Sequence, residues 1–132
     1  TACVIGTGRI GFTLGFDKKR EQPASHTMAL LANPCVRIIA GCDTDNEKLE
    51  AWGRYVPGAR TFSDADTMLS EIKTDIIVIA VNEDAHLEAA LKAIKSKPKL
   101  VILEKPVMSK TSLTAGRIFF ITSLPPFDET VF

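Results

Sequence analysis

A run of four apolar residues, Ala2-Cys3-Val4-Ile5, passes directly into Gly6-Thr7-Gly8-Arg9-Ile10-Gly11. Glycines at this spacing, between a strand and a helix, suit the binding of a pyrophosphate. Gly6 permits a tight turn, Gly8 lets the backbone approach the phosphates, and Gly11 lets helix and strand pack closely. The amino terminus of the next helix then offers unpaired N–H groups and a positive dipole end. Thr7 and Arg9 complete the expected cofactor contacts of the turn. Ile10 either covers the cofactor beside Arg9 or belongs to the core. A lone GxGxxG is weak evidence, and the strand before it and the helix after it give it weight.

A carboxylate at the end of the following strand is the second requirement, and Asp43 supplies it after Val36 to Gly41. Such an acid accepts hydrogen bonds from the adenosine ribose hydroxyls and repels a 2′-phosphate. Thr44-Asp45-Asn46 follow, with no arginine, which favours NAD over NADP. The separation from turn to acid exceeds the usual roughly 20 residues. The excess maps onto the charged, proline-broken stretch from Asp17 to Thr27, which reads as a surface insertion. The bland alternative is a plain strand–helix turn with Asp43 as a cap or a solvated acid.

Glu104-Lys105-Pro106 follows another apolar run, Leu100 to Leu103. Open α/β sheets place ligands at the carboxyl ends of their strands. Proline fixes the backbone there, Glu104 can hold the ammonium, and Lys105 can position a substrate hydroxyl or lower its pKa as hydride leaves. Taken alone, a solvated lysine before a turn is as good a reading.

The elements that must position these groups alternate. Ile10 to Phe16 reads as the start of a helix, broken by Asp17 to Gln22 and Pro23 and resumed from Ser25 to Ala32 before Asn33-Pro34. Asp45 caps a helix to Tyr55, Arg60 to Phe62 makes a short strand, and Ser63 caps a helix carrying Met68, Leu69 and Ile72. Ile76 to Val81 is a β-branched run suited to burial on both faces. Asp84 starts a helix to Ile94 with Leu87, Ala90, Leu91 and Ile94 on one apolar stripe. Beyond Lys105, Ser112 to Gly116 permits a short helix and Ile118 to Thr122 is strand-like. The expectation is a doubly wound parallel sheet of Rossmann type in three α/β/α layers, spanning residues 1–122, with residues 123–132 as a tail.

Composition excludes several classes. With 16 basic against 16 acidic residues, no nucleic-acid or anionic-membrane partner is expected. The apolar runs are too short to cross a bilayer. The first residues carry no basic stretch before a long apolar core, so no secretory leader is expected. Cys3, Cys35 and Cys42 are odd in number and lack a CxxC spacing, which argues against a disulfide framework or a metal site and for a reducing cytoplasm.

Together these residues resemble the nucleotide-binding domain of the Gfo/Idh/MocA oxidoreductases. The resemblance rests on VIGTGRIG at the start, GCD at the second strand, DIIVIAV followed by His86, and LEKPV, and it covers Ala2 to Met108. It implies hydride transfer between a nicotinamide cofactor and a secondary alcohol of a sugar, cyclitol or related polyol. It implies that Lys105 lies beside the nicotinamide as the catalytic residue, with Glu104 at the cofactor and Val81 and Asn82 as further contacts. Family members often carry a proline after the fourth strand, which Val81-Asn82-Glu83 lacks. His86 matches a family histidine, and a packing or capping role is favoured for it over catalysis. The family also carries a second α/β domain that supplies the substrate pocket and commonly the oligomer contacts. Residues 111–132 are too few for it, so a substrate pocket or homo-oligomer is expected only through parts outside this sequence. A non-catalytic NAD(H)-binding or redox-sensing module, or a member serving only in assembly, are the alternatives.

Overall fold

The computed structural model describes residues 1–104 and 119–122. Lys105, the segment Ser112 to Gly116 and the tail 123–132 lie outside the described residues. Ala2–Ile5 forms the central strand β1, with every residue buried. It pairs in parallel with β2 (Ile38–Cys42) on one side and β4 (Ile76–Ile79) on the other. Strand β3 (Arg60–Phe62) extends the sheet beyond β2, and β5 (Leu100–Leu103) extends it beyond β4, both in parallel. The order is β3-β2-β1-β4-β5-β6, with β6 (Phe119–Thr122) running antiparallel at the edge. The expected parallel sheet thus has five strands and one reversed neighbour.

Alternation along the strands divides the core into two layers. Ala2, Val4, Ile38 and Val78 face Leu30 of α1 (His26–Leu31) and Trp52 of α2 (Asn46–Tyr55). Cys3, Ile5, Ala40, Ile77 and Ile79 face Met68 and Leu69 of α3 (Ala65–Glu71) and Ala89, Ala90 and Ala93 of α4 (His86–Lys95). This is the three-layer doubly wound arrangement.

Local chemistry sets the helix starts. Asp45 accepts from the Glu47 and Lys48 amides, as its type and position predict for an N-cap. The next cap is Asp64, whose carboxylate accepts from the Asp66 and Thr67 amides, in place of the expected Ser63. In α4 the expected stripe is largely turned outward. Leu87, Leu91 and Ile94 are exposed, while His86, Ala89, Ala90 and Ala93 are buried. Small side chains let the helix lie close to the sheet, and the larger ones are left on the flank.

The largest departure concerns the helix expected from Ile10. Residues 9–12 form a turn, Thr13–Phe16 a short 3-10 segment, and α1 starts only at His26. A Cβ on Gly15 would run into Met28 and Ser25. Gly15 therefore lets the 3-10 segment pack directly against the start of α1, and Ser25 caps α1 by accepting from the Met28 amide.

Candidate functional site

Strand order reverses between β1 and β4, so a crevice opens at their carboxyl ends. Gly6 stands in it with φ +93°, and a Cβ there would collide with the Ala80 carbonyl oxygen. The Gly6 amide donates to the Cys42 carbonyl at 2.8 Å, and the Ala80 amide donates to the Ile5 carbonyl at 2.7 Å. Three strand ends are thereby clamped around one glycine.

Beyond Gly6 the chain makes a single wide turn. The Phe12 and Thr13 amides donate to the Gly8 carbonyl at 2.8 and 3.1 Å, and the Leu14 amide donates to the Arg9 carbonyl at 2.8 Å. The amides of Gly8, Arg9, Ile10 and Gly11 lead this turn and donate to no described residue. Free leading amides of this kind form a concave anion cradle even without a long helix behind them. Gly11 is needed to close the turn on itself, because a Cβ there would meet the Gly6 carbonyl oxygen. The expected helix–strand role for Gly11 gives way to this. At Gly8 the nearest atom to an added Cβ is the Lys48 side chain at 4.0 Å, so the fold itself leaves that space open. Arg9 and Ile10 are exposed, the latter by 39%, which leaves Ile10 outside the core.

Asp43 lies at the end of β2 and reaches back to this turn. Its Oδ2 accepts from the Thr7 amide at 2.7 Å and from the Thr7 hydroxyl at 3.1 Å. Its Oδ1 accepts from the Asp45 amide at 2.9 Å. Thr7 is fully buried, so this carboxylate also satisfies a hydroxyl that would otherwise lack a partner. Two carboxylate oxygens offer about four acceptor sites, so capacity remains for a further donor.

A cleft of about 330 Å³ opens on Gly8 and is lined by Arg9, Thr13, Leu14, Asp17 and Lys48. Lys48 pairs with Asp45 at 3.0 Å, and each holds the other in its charged form. The hydrogen bond to Asp45 raises the Lys48 pKa, and Lys48 likewise lowers that of Asp45.

On the far side of the crevice, Glu104 leaves β5 with its amide bonded to the Ile79 carbonyl at 3.1 Å. Its Oε1 accepts from His26 Nε2 at 2.6 Å. Val81 is half-buried, and Asn82 is exposed just beyond it. His86 is 1% exposed, and its Nε2 donates to the Val81 carbonyl at 2.8 Å. Asp43 and Glu104 end strands three spacings apart, roughly 14 Å at the usual strand separation. Gly6, Thr7, Gly8, Gly11 and Asp43 therefore form one group, and Glu104 stands apart from it across the crevice.

The family profile described as "Oxidoreductase family, NAD-binding Rossmann fold" matches residues 1–118. The chain belongs to the Gfo/Idh/MocA oxidoreductase family. No curated protein sequence matches it. Among solved structures it is similar to the WlbA dehydrogenase from Bordetella pertussis in complex with NADH and UDP-GlcNAcA, at 27% identity and a TM-score of 0.65. It is also similar to myo-inositol 2-dehydrogenase from Lactobacillus plantarum, at 25% identity and a TM-score of 0.64. Each likeness covers 81% of this chain and 28% of the other. The fold of an Agrobacterium radiobacter oxidoreductase in complex with NAD+, L-tartaric acid and magnesium is shared at a TM-score of 0.66 and 21% identity.

The chain is thus an NAD-binding Gfo/Idh/MocA domain, and the cradle at Gly8 to Gly11 fits the anionic centre of that cofactor. Two polar residues of this crevice escaped the sequence. Lys48 follows Asp43 within the first turn of a capped helix, a position that a helical reading can find. His26 and Glu104 are 78 residues apart, and no spacing rule joins them. Among the described residues, no group of three or more metal-ligating side chains occurs, and no helix is long and apolar enough to cross a membrane.

Proposed function

We propose that this domain serves an oxidoreductase that transfers hydride between nicotinamide C4 and a secondary alcohol of a sugar, cyclitol or related polyol. The observation that carries the reading is the set of unpartnered amides from Gly8 to Gly11, placed beside the Asp43 carboxylate. The Gly6, Thr7, Gly8, Arg9, Ile10 and Gly11 turn holds the pyrophosphate, and Asp43 takes the adenosine ribose. The spare acceptor capacity of Asp43 suits ribose hydroxyls, and its charge disfavours a 2′-phosphate. Val81 and Asn82 border the cofactor between these two ends, and Glu104, followed in the chain by Lys105, takes the far edge.

Bound NAD supplies the two-electron acceptor. Lys105 holds the reacting hydroxyl and stabilises negative charge on its oxygen as the hydroxyl proton passes to solvent water, the carbinol hydrogen leaves as hydride and the alcohol becomes a ketone. Glu104 keeps the opposite charge beside that lysine in sequence. The relatives crystallised with UDP-GlcNAcA and named for myo-inositol support the substrate class. Three free cysteines suit a reducing cytoplasm.

A panel of polyols and sugars with NAD, read by the absorbance of reduced nicotinamide, tests the assignment. At least one alcohol is expected to turn over, and Lys105→Ala is expected to remove on the order of 10²-fold of that rate or more. No turnover on any member, or an alanine variant as fast as the wild type, refutes it.

A further inference from the structure

His26 occupies the first position of α1, at the end of the charged segment that separates the glycine turn from its helix. Its amide donates to the Ile10 carbonyl at 3.1 Å, and the neighbouring Thr27 amide donates to the Gly11 carbonyl at 2.9 Å. The Thr27 hydroxyl bonds the same Gly11 carbonyl at 2.6 Å. The start of α1 is therefore fastened to the second half of the phosphate turn by three hydrogen bonds. From there the His26 ring crosses to the other edge of the crevice. Its Nε2 lies 2.6 Å from Glu104 Oε1, with side-chain exposures of 18% and 24%. A carboxylate only accepts, so His26 carries its proton on Nε2. Partial burial distinguishes this contact from a solvated surface pair, which contributes little.

Among the described residues, Glu104 is held by its amide to β4 and by its carboxylate to His26. Lys105 is the next residue in the chain. We propose that His26 is a positioning residue: it holds Glu104, the residue before Lys105 in the chain, at the end of β5 and ties it to the phosphate turn. The role rests on the assignment of Lys105 made above. It gives the surface insertion a function, since the chain from Asp17 to Ser25 delivers His26 to the crevice. The pair sets the spacing between the two ends of the site, where a small displacement of a catalytic group is costly in rate.

The test uses the full chain with its lysines reductively methylated with carbon-13, the Lys105 signal being assigned by its loss in Lys105→Arg. His26→Ala is expected to move the Lys105 methyl resonance, and His26→Gln, which keeps a donor near the Nε2 position, to restore it. His26→Leu fills the space without a donor and is expected to behave as alanine does, which covers a poorly folding alanine variant. With the fastest alcohol of the panel, His26→Ala is expected to lower kcat on the order of tenfold with little change in KM for NAD. An unmoved resonance, failure of glutamine to restore it, or a loss confined to NAD affinity overturns the proposal. A wild-type chain without turnover sinks the hydride-transfer reading alone, because the lysine resonance still reports on His26.

Discussion

The Asp43 carboxylate and Thr7 are joined across 36 residues by two hydrogen bonds, one from the Thr7 amide and one from its hydroxyl. The fold itself therefore binds the acid at the end of β2 into the glycine turn.

Within the turn, Gly6 and Gly11 are required by the fold and Gly8 is not. Gly11→Ala drives a Cβ into the Gly6 carbonyl oxygen and is expected to destabilise the domain on the order of 3 kcal/mol. Gly8→Ala meets no atom nearer than Lys48 at 4.0 Å, so its thermal midpoint should stay close to the wild type. Its Cβ instead enters the space beside the free amides, and NAD affinity should fall about tenfold or more, near 1.4 kcal/mol. Thermal melts and calorimetric NAD titrations of both variants check the contrast; a Gly8→Ala protein that binds normally contradicts it.

Thr27 couples Trp52 and its core layer to the turn. Its hydroxyl donates to the Gly11 carbonyl and accepts from Trp52 Nε1 at 3.0 Å, all three groups being buried. Thr27→Val keeps the shape but strands the indole N–H, and a loss of about 2–3 kcal/mol is expected. Thr27→Ser should retain most of the stability. Denaturant melts that place valine and serine together would show that the hydroxyl is idle.

The strands and most helix limits were legible in the sequence because short buried strands and acidic caps carry local signals. Asp45 is such a case, and the β-branched run at Ile76 is another. The helix expected at Ile10 was not legible as a turn, since Gly15 there packs against Ser25 and Met28, a tertiary contact that no local pattern carries. Alternation and period likewise miss the burial of Ala89 and Ala93 over Leu87 and Leu91, because closeness of approach selects the smaller side chains. Of the site, the glycine turn and Asp43 were visible by type and spacing. The His26–Glu104 contact depends on how two loops meet and leaves no pattern.

Cysteine chemistry gives a pH-dependent check. Burial, reinforced by Asp43 and Asp64, pushes the Cys42 thiol up to about 12 from its ordinary 9.0, and burial raises Cys3 as well. In the folded chain both stay protonated at pH 8, while Cys35 is exposed. One thiol should react quickly with a disulfide reagent and two only on unfolding. The sign for stability follows: a raised folded value means the contribution is intact below pH 9 and is lost as pH rises towards 12. Denaturant midpoints should therefore fall across that window. Rapid reaction of all three thiols at pH 8 would contradict the burial of Cys3 and Cys42.

The most direct measurement is a titration of the protein with NAD and with NADP, followed by Trp52 fluorescence. Trp52 is fully buried and is linked through Thr27 to the Gly11 carbonyl, so occupation of the turn should reach the indole. Saturable binding of NAD, weaker binding of NADP, and loss of that preference in Asp43→Asn are expected. A fluorescence signal and heat of binding that never saturate with NAD, or an Asp43→Asn variant with the wild-type preference, would contradict the cofactor site built from Gly8 to Gly11 and Asp43.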